Sequence, residues 1–211
     1  MSTTKTYVQT LNATIHSLMD ADPRIILIGQ GVTSPWYVGG TCDGLLDRFG
    51  PTRVIDTPIS ENAVTGAAVG MALTGLRPIL VFPRMDFMLY AMDPIINQAA
   101  KWSYIFGGKS TGVPLVIWTI INRGGCQGAQ HSQDFGWIFD GIPGIDVHFP
   151  SRVGEVEKMW ADMIKSDSPS VYIDDRDLYT QTDHLVSRPS NNEQSCPAPC
   201  SEPLEEVYYD N

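Results

Sequence analysis

Apolar residues recur at two different spacings along this chain, and the alternation between them predicts the architecture. Tyr7, Leu11, Ile15 and Leu18 return every three or four residues until Asp22-Pro23 stops the series, which predicts an amphipathic helix over about 6–21. The segment Arg24–Gly29 follows as a short apolar run of the kind buried on both faces of a sheet. Similar runs stand at Arg53–Ile55, Pro78–Phe82, Val113 to Ile121, Ile145–Phe149 and Ser170–Ile173. Helical spacing returns between them: after Glu61, over Asp86–Phe106 despite Pro94, and over Val153–Lys165. About six strands alternating with helices predict an α/β fold, a parallel, doubly wound sheet with helices on both faces. Segments 30–40 and 124–128, rich in Gly, read as loops at strand ends.

The pattern fades after Asp183, where Pro, Ser and acidic residues dominate. A segment so poor in apolar surface cannot offset the entropy of ordering, so residues 1–182 are expected to form the domain and 183–211 a flexible tail with Val207-Tyr208-Tyr209 at its solvated end.

Composition narrows the partners. The 211 residues are 43% hydrophobic and 18% charged, enough for one core. A net charge of -10 argues against nucleic acid and anionic membrane surfaces, which leaves small molecules and proteins. The first residues lack a secretory pattern, and no apolar run reaches the roughly 18 residues of a membrane span, so a cytoplasmic location is expected. Cys42, Cys126, Cys196 and Cys200 fit neither a zinc set nor a disulfide framework and are read as free thiols.

Glu61 is the leading candidate for chemistry. It follows Asp56-Thr57-Pro58-Ile59-Ser60, where an extended turn before Pro58 separates a strand from a helix, and strand ends are where ligands bind in open α/β sheets. A plainer reading has Ser60 or Asp56 capping the helix and Glu61 merely favouring its dipole. The following helix carries Ala63, Gly66, Ala67, Ala68, Gly70 and Ala72, and accepting glycine there, at about 1 kcal/mol each, predicts close backbone packing that would hold the carboxylate still. His131 beside the glycine loop reads by itself as a side chain that orders that loop, and Arg123 meets a substrate carboxylate or a surface acid.

Four blocks together go further. Asp56-Thr57-Pro58-Ile59-Ser60-Glu61, Gly75-Leu76-Arg77-Pro78-Ile79, Ile95-Ile96-Asn97-Gln98-Ala99-Ala100-Lys101 and Ala129-Gln130-His131-Ser132-Gln133 resemble, in order, the beta subunit of the first component of the 2-oxoacid dehydrogenases. That subunit contains the pyrimidine-binding domain of the transketolase-like thiamine diphosphate enzymes. The resemblance implies that Glu61 hydrogen-bonds the cofactor's pyrimidine nitrogen and that His131 faces the substrate. It places Met85 where the family usually has a phenylalanine against the pyrimidine ring, and adds Ile59 and Phe82 to the cofactor side. Arg84, Arg123 and Gln130 are its weaker substrate candidates.

The sequence has no Gly-Asp-Gly followed by an Asn pair, the superfamily's pattern for magnesium and diphosphate. The resemblance therefore implies an alpha-like partner that holds magnesium and the diphosphate in an α2β2-like hetero-oligomer, with no metal ligands on this chain. The family's C-terminal domain is expected to be absent as well, which leaves open whether a lipoyl carrier is the acceptor. The implied activity is cleavage or transfer of a two-carbon or acyl unit from a 2-oxo acid or ketose donor. The alternative is a non-catalytic assembly or regulatory subunit that keeps the fold. A plain nucleotide-binding domain is disfavoured, since neither dinucleotide nor Lys-Ser/Thr phosphate loops are present.

Overall fold

The computed structural model describes residues 5–34, 39–124 and 127–183. Cys126, Cys196, Cys200 and the expected tail beyond Asp183 lie outside these residues. Among the described residues six strands form one sheet: β1 (Ile25–Gly29), β2 (Val54–Asp56), β3 (Arg77–Phe82), β4 (Val116–Ile121), β5 (Asp146–His148) and β6 (Ser170–Asp175). They lie in the order β2-β1-β3-β4-β6-β5, and every pairing is parallel. The continuous apolar runs are the reason: β1 and β4 are buried along their whole length, as a strand covered on both faces requires.

The helices are α1 (Tyr7–Ala21), α2 (Leu45–Phe49), α3 (Glu61–Leu73), α4 (Met85–Met88), α5 (Trp102–Ile105) and α6 (Val156–Lys165). α1 begins with a capping box in which Thr6 accepts from the Gln9 amide at 3.3 Å and Gln9 accepts from the Thr6 amide at 3.0 Å. It buries Leu11, Ile15 and Met19 in one core layer with Val156, Trp160 and Met163 of α6. The opposite layer holds Ala68, Val69 and Ala72 of α3 with Met85, Met88 and Ile95. The doubly wound expectation holds.

Two expectations do not. The helix read over 86–106 is broken into α4, a 3-10 turn at Leu89–Ala91, a π-helical stretch at Asp93–Ala99 and α5. Pro94 stands in the first turn of the π-helical stretch, where its missing N–H costs nothing, whereas in the middle of one long α-helix it would remove a bond. Of the small residues of α3, Ala68 and Ala72 pack in the core, but the other four lack the expected packing within this chain. Ala63, Gly66, Ala67 and Gly70 form an exposed face, and a Cβ on Gly66 or Gly70 would meet nothing within 4 Å.

Close backbone packing is instead found at Gly29, the last residue of β1. It pairs in register with Val81 of β3, and a Cβ there would lie 2.4 Å from the Val81 carbonyl oxygen. Gly29→Ala is expected to lower stability by about 1–3 kcal/mol through this overpacking, measured by chemical denaturation.

The two ends of the described domain meet. The Tyr7 amide donates to the Gln181 carbonyl at 2.7 Å and the Val8 amide to the Tyr179 carbonyl at 3.3 Å. Beneath them Asp174 of β6, fully buried, accepts from the Tyr7 hydroxyl at 2.9 Å, the Trp118 indole at 2.9 Å and the Tyr179 hydroxyl at 2.8 Å. Burial raises the Asp174 carboxyl to about 6, outweighing the three donors.

Candidate functional site

Chain connections leave β1 and β3 in opposite directions, β1 toward β2 and β3 toward β4, so the carboxyl ends of these neighbours form a switch point. Four strand ends deliver side chains to this edge. Gln30 follows β1, Glu61 opens α3 just after β2, Arg84 to Phe87 follow β3, and Asn122, Gln127 and His131 follow β4.

Glu61 is the first residue of α3 and is half-buried. The capping reading fails for both candidates: Ser60 occupies the cap without a side-chain bond. Asp56 turns the other way, accepting from the Gly31 amide at 2.8 Å and the Thr33 hydroxyl at 2.5 Å. Glu61 is engaged by a residue that sequence reasoning missed. The side-chain amide of Gln30 donates to its Oε1 at 3.0 Å. A polar residue directly after a strand at the switch point was the available signal.

His131 ends a 3-10 turn at Ala129–His131 and meets the ring of Phe87 edge-on, centroids 5.3 Å apart. Met85, the expected ring partner of the cofactor, is instead fully buried in the core, and its sulfur accepts from the Phe135 amide at 3.3 Å. Both sit on α4, but two residues apart on a helix they point to different sides, and Phe87 is the aromatic on the His131 side. Asp86 between them accepts from the Gln133 amide at 2.7 Å. Three successive residues of α4 thus hold Phe135, Gln133 and His131, which fixes the segment carrying the histidine.

The cations are committed elsewhere. Arg84 is buried, and its guanidinium donates to Gln127, which also accepts from the Asn122 amide at 3.2 Å. Arg123 pairs with Asp175, a nearly fully buried acid at the end of β6 rather than one on the surface. Burial raises the Asp175 carboxyl and Arg123 opposes that rise. The Gly124 amide donates to Asp177 at 3.2 Å, which with Arg123 ties the start of the glycine loop to the chain after β6.

Phe82 lies in the core at the end of β3, under the site rather than in it. Ile59 is 81% exposed in front of Glu61, and Gln130 is exposed beside His131. The edge therefore joins a fixed carboxylate, an aromatic face, an exposed aliphatic side chain and a histidine. Among the described residues no group of three His, Cys, Asp or Glu is placed to hold a metal ion.

Residues 3–181 match the family described as transketolase, pyrimidine binding domain. The chain belongs to this family. Among relatives of this pyrimidine-binding domain, the mitochondrial pyruvate dehydrogenase E1 component subunit beta of Saccharomyces cerevisiae is 37% identical over 183 residues, 86% of this chain and 50% of that protein. The subunit beta of acetoin:2,6-dichlorophenolindophenol oxidoreductase from Cupriavidus necator is 36% identical over 179 residues, 80% of this chain and 52% of that protein. The pyrimidine-binding domain thus spans about half the length of these relatives. A solved structure named split gene transketolase, inactive beta4 tetramer, superposes with a TM-score of 0.63 at 15% identity, covering 86% of this chain and 53% of that one. That likeness concerns the fold alone.

Proposed function

We propose that this chain is the beta-like subunit of a split thiamine diphosphate-dependent enzyme that cleaves or transfers a two-carbon or acyl unit from a 2-oxo acid or ketose-type donor. The carrying observation is the half-buried Glu61 carboxylate, held on one oxygen by Gln30 at the β1–β3 switch point. A carboxylate and an aromatic ring at one sheet edge suit an aminopyrimidine: one group exchanges a proton with a ring nitrogen, the other stacks. Glu61 is given the first role and Phe87 the second, with Ile59 covering the ligand from its exposed side. His131, with its ring braced on Phe87, is given the substrate-facing role. Thiamine diphosphate supplies, when bound, the electron sink for breaking a bond beside a carbonyl, which no protein side chain provides.

Magnesium and the diphosphate are assigned to an alpha-like subunit, in a hetero-oligomer. The relatives named as beta subunits support this reading, as does the bare small-residue face of α3, which follows directly from Glu61. Against the non-catalytic alternative stands Phe87, an aromatic on the His131 side of α4 where position 85 offers only a buried methionine.

Calorimetry tests the reading. Thiamine diphosphate with magnesium is expected to show no heat of binding with this chain alone and saturable binding once an alpha-type subunit with a diphosphate-binding domain is added, because ligand and assembly stabilise each other. A stable complex of the two chains that binds no thiamine diphosphate would leave an assembly subunit.

A further inference from the structure

We infer that Gln30 is a positioning residue for Glu61, a role that rests on the proposed cofactor-binding reading of Glu61. The hydrogen bond from its amide to Glu61 Oε1, at 3.0 Å, joins two strand ends that are themselves clamped together. On one side of Gln30 the Gly29 carbonyl accepts from the Thr57 amide at 3.1 Å; on the other the Gly31 amide donates to Asp56 at 2.8 Å. Asp56 and Thr57 belong to the connection that leads into Glu61. The clamp therefore fixes donor and acceptor relative to one another before any ligand arrives.

Gln30 is itself nine-tenths buried, so its amide requires a partner, and Glu61 is the one the fold provides. The bond fixes the rotamer of a side chain that would otherwise swing at a helix start. Occupying Oε1 leaves Oε2 without a partner among the described residues, and that oxygen is the one available to a ligand nitrogen. A neutral amide suits this task because it donates without adding charge. Asp56, the other carboxylate at this edge, has both oxygens engaged by Gly31 and Thr33 and does not compete for the Gln30 amide.

Two measurements test the inference. On the full chain alone, the side-chain amide signal of Gln30 in a proton–nitrogen correlation spectrum, assigned by its loss in Gln30→Met, is expected to move in Glu61→Gln. A signal that ignores Glu61→Gln overturns the inference. In the complex with the alpha-type subunit, Gln30→Met is expected to lower kcat about tenfold with KM and assembly unchanged. Gln30→Glu is expected to add a pH-dependent defect, relieved at low pH, because two carboxylates this close do not both ionise readily. A purely structural role would instead lower the Tm of both variants in step with their activity, with no change in pH profile, and would sink the inference. A wild-type complex that neither binds thiamine diphosphate nor turns over overturns the parent reading and the positioning role with it, and the amide response on the chain alone tells that failure apart from absence of the contact.

Discussion

Glu61→Gln in the assembled complex is expected to cut turnover by about 10²–10⁴-fold, the range for losing one acid–base group, while assembly persists. The substitution keeps the length and shape of the side chain and removes only its ability to take and return a proton. Gln30 sharpens the effect: its amide donor then faces another amide, which must turn its carbonyl toward Gln30 and its NH2 toward the ligand. A ring nitrogen that needs a proton donor and acceptor in turn meets a group that only donates. Steady-state kcat with a 2-oxo acid, at saturating thiamine diphosphate, is the measurement. A variant as active as the wild type would remove Glu61 from the chemistry.

The second large effect concerns stability and its pH dependence at Asp174. Its carboxyl is raised by burial from 3.8 to about 6, so ionising it costs more in the folded than in the unfolded chain. Its contribution is fully present below about 4, near its unfolded value, and is lost as pH rises through about 6. A rise of about two units corresponds to about 3 kcal/mol. Asp174→Asn removes the titration, and the hydroxyls of Tyr7 and Tyr179 can rotate to suit an amide. Denaturant unfolding at pH 3 and pH 7 is expected to show the variant gaining about 3 kcal/mol on the wild type between the two. Parallel stability curves would refute the assignment. The tyrosines stay protonated throughout, since burial raises Tyr7, Tyr172 and Tyr179 above the ordinary phenol value.

Much of the sheet was legible because a strand buried on both faces must be apolar without interruption, as β1 and β4 are. Glu61 was legible for a related reason: Pro58 forces extended chain before a helix, so the first helical residue falls at a strand's carboxyl end. What was not legible depends on which way side chains turn. Asp56 looks like a cap in sequence, but it bonds the loop after β1 instead. Met85 and Phe87 are equally apolar, and only the docking of α4 sends one into the core and the other to His131. Arg123 reads in sequence as facing a substrate carboxylate or a surface acid, and nothing local announces the buried Asp175 that β6 brings beside it, 52 residues later.

β6, the last strand among the described residues, lies inside the sheet between β4 and β5. While the chain is being made, β4 and β5 therefore emerge with their facing edges unpaired, and neither can be satisfied until residue 175 has left the ribosome. The closing contacts of Tyr7 with Asp174 and Gln181 wait on the same event. A product cut short before β6 would thus present two sticky strand edges and an unsealed amino-terminal helix, a substrate for chaperones and proteases in place of a smaller working domain.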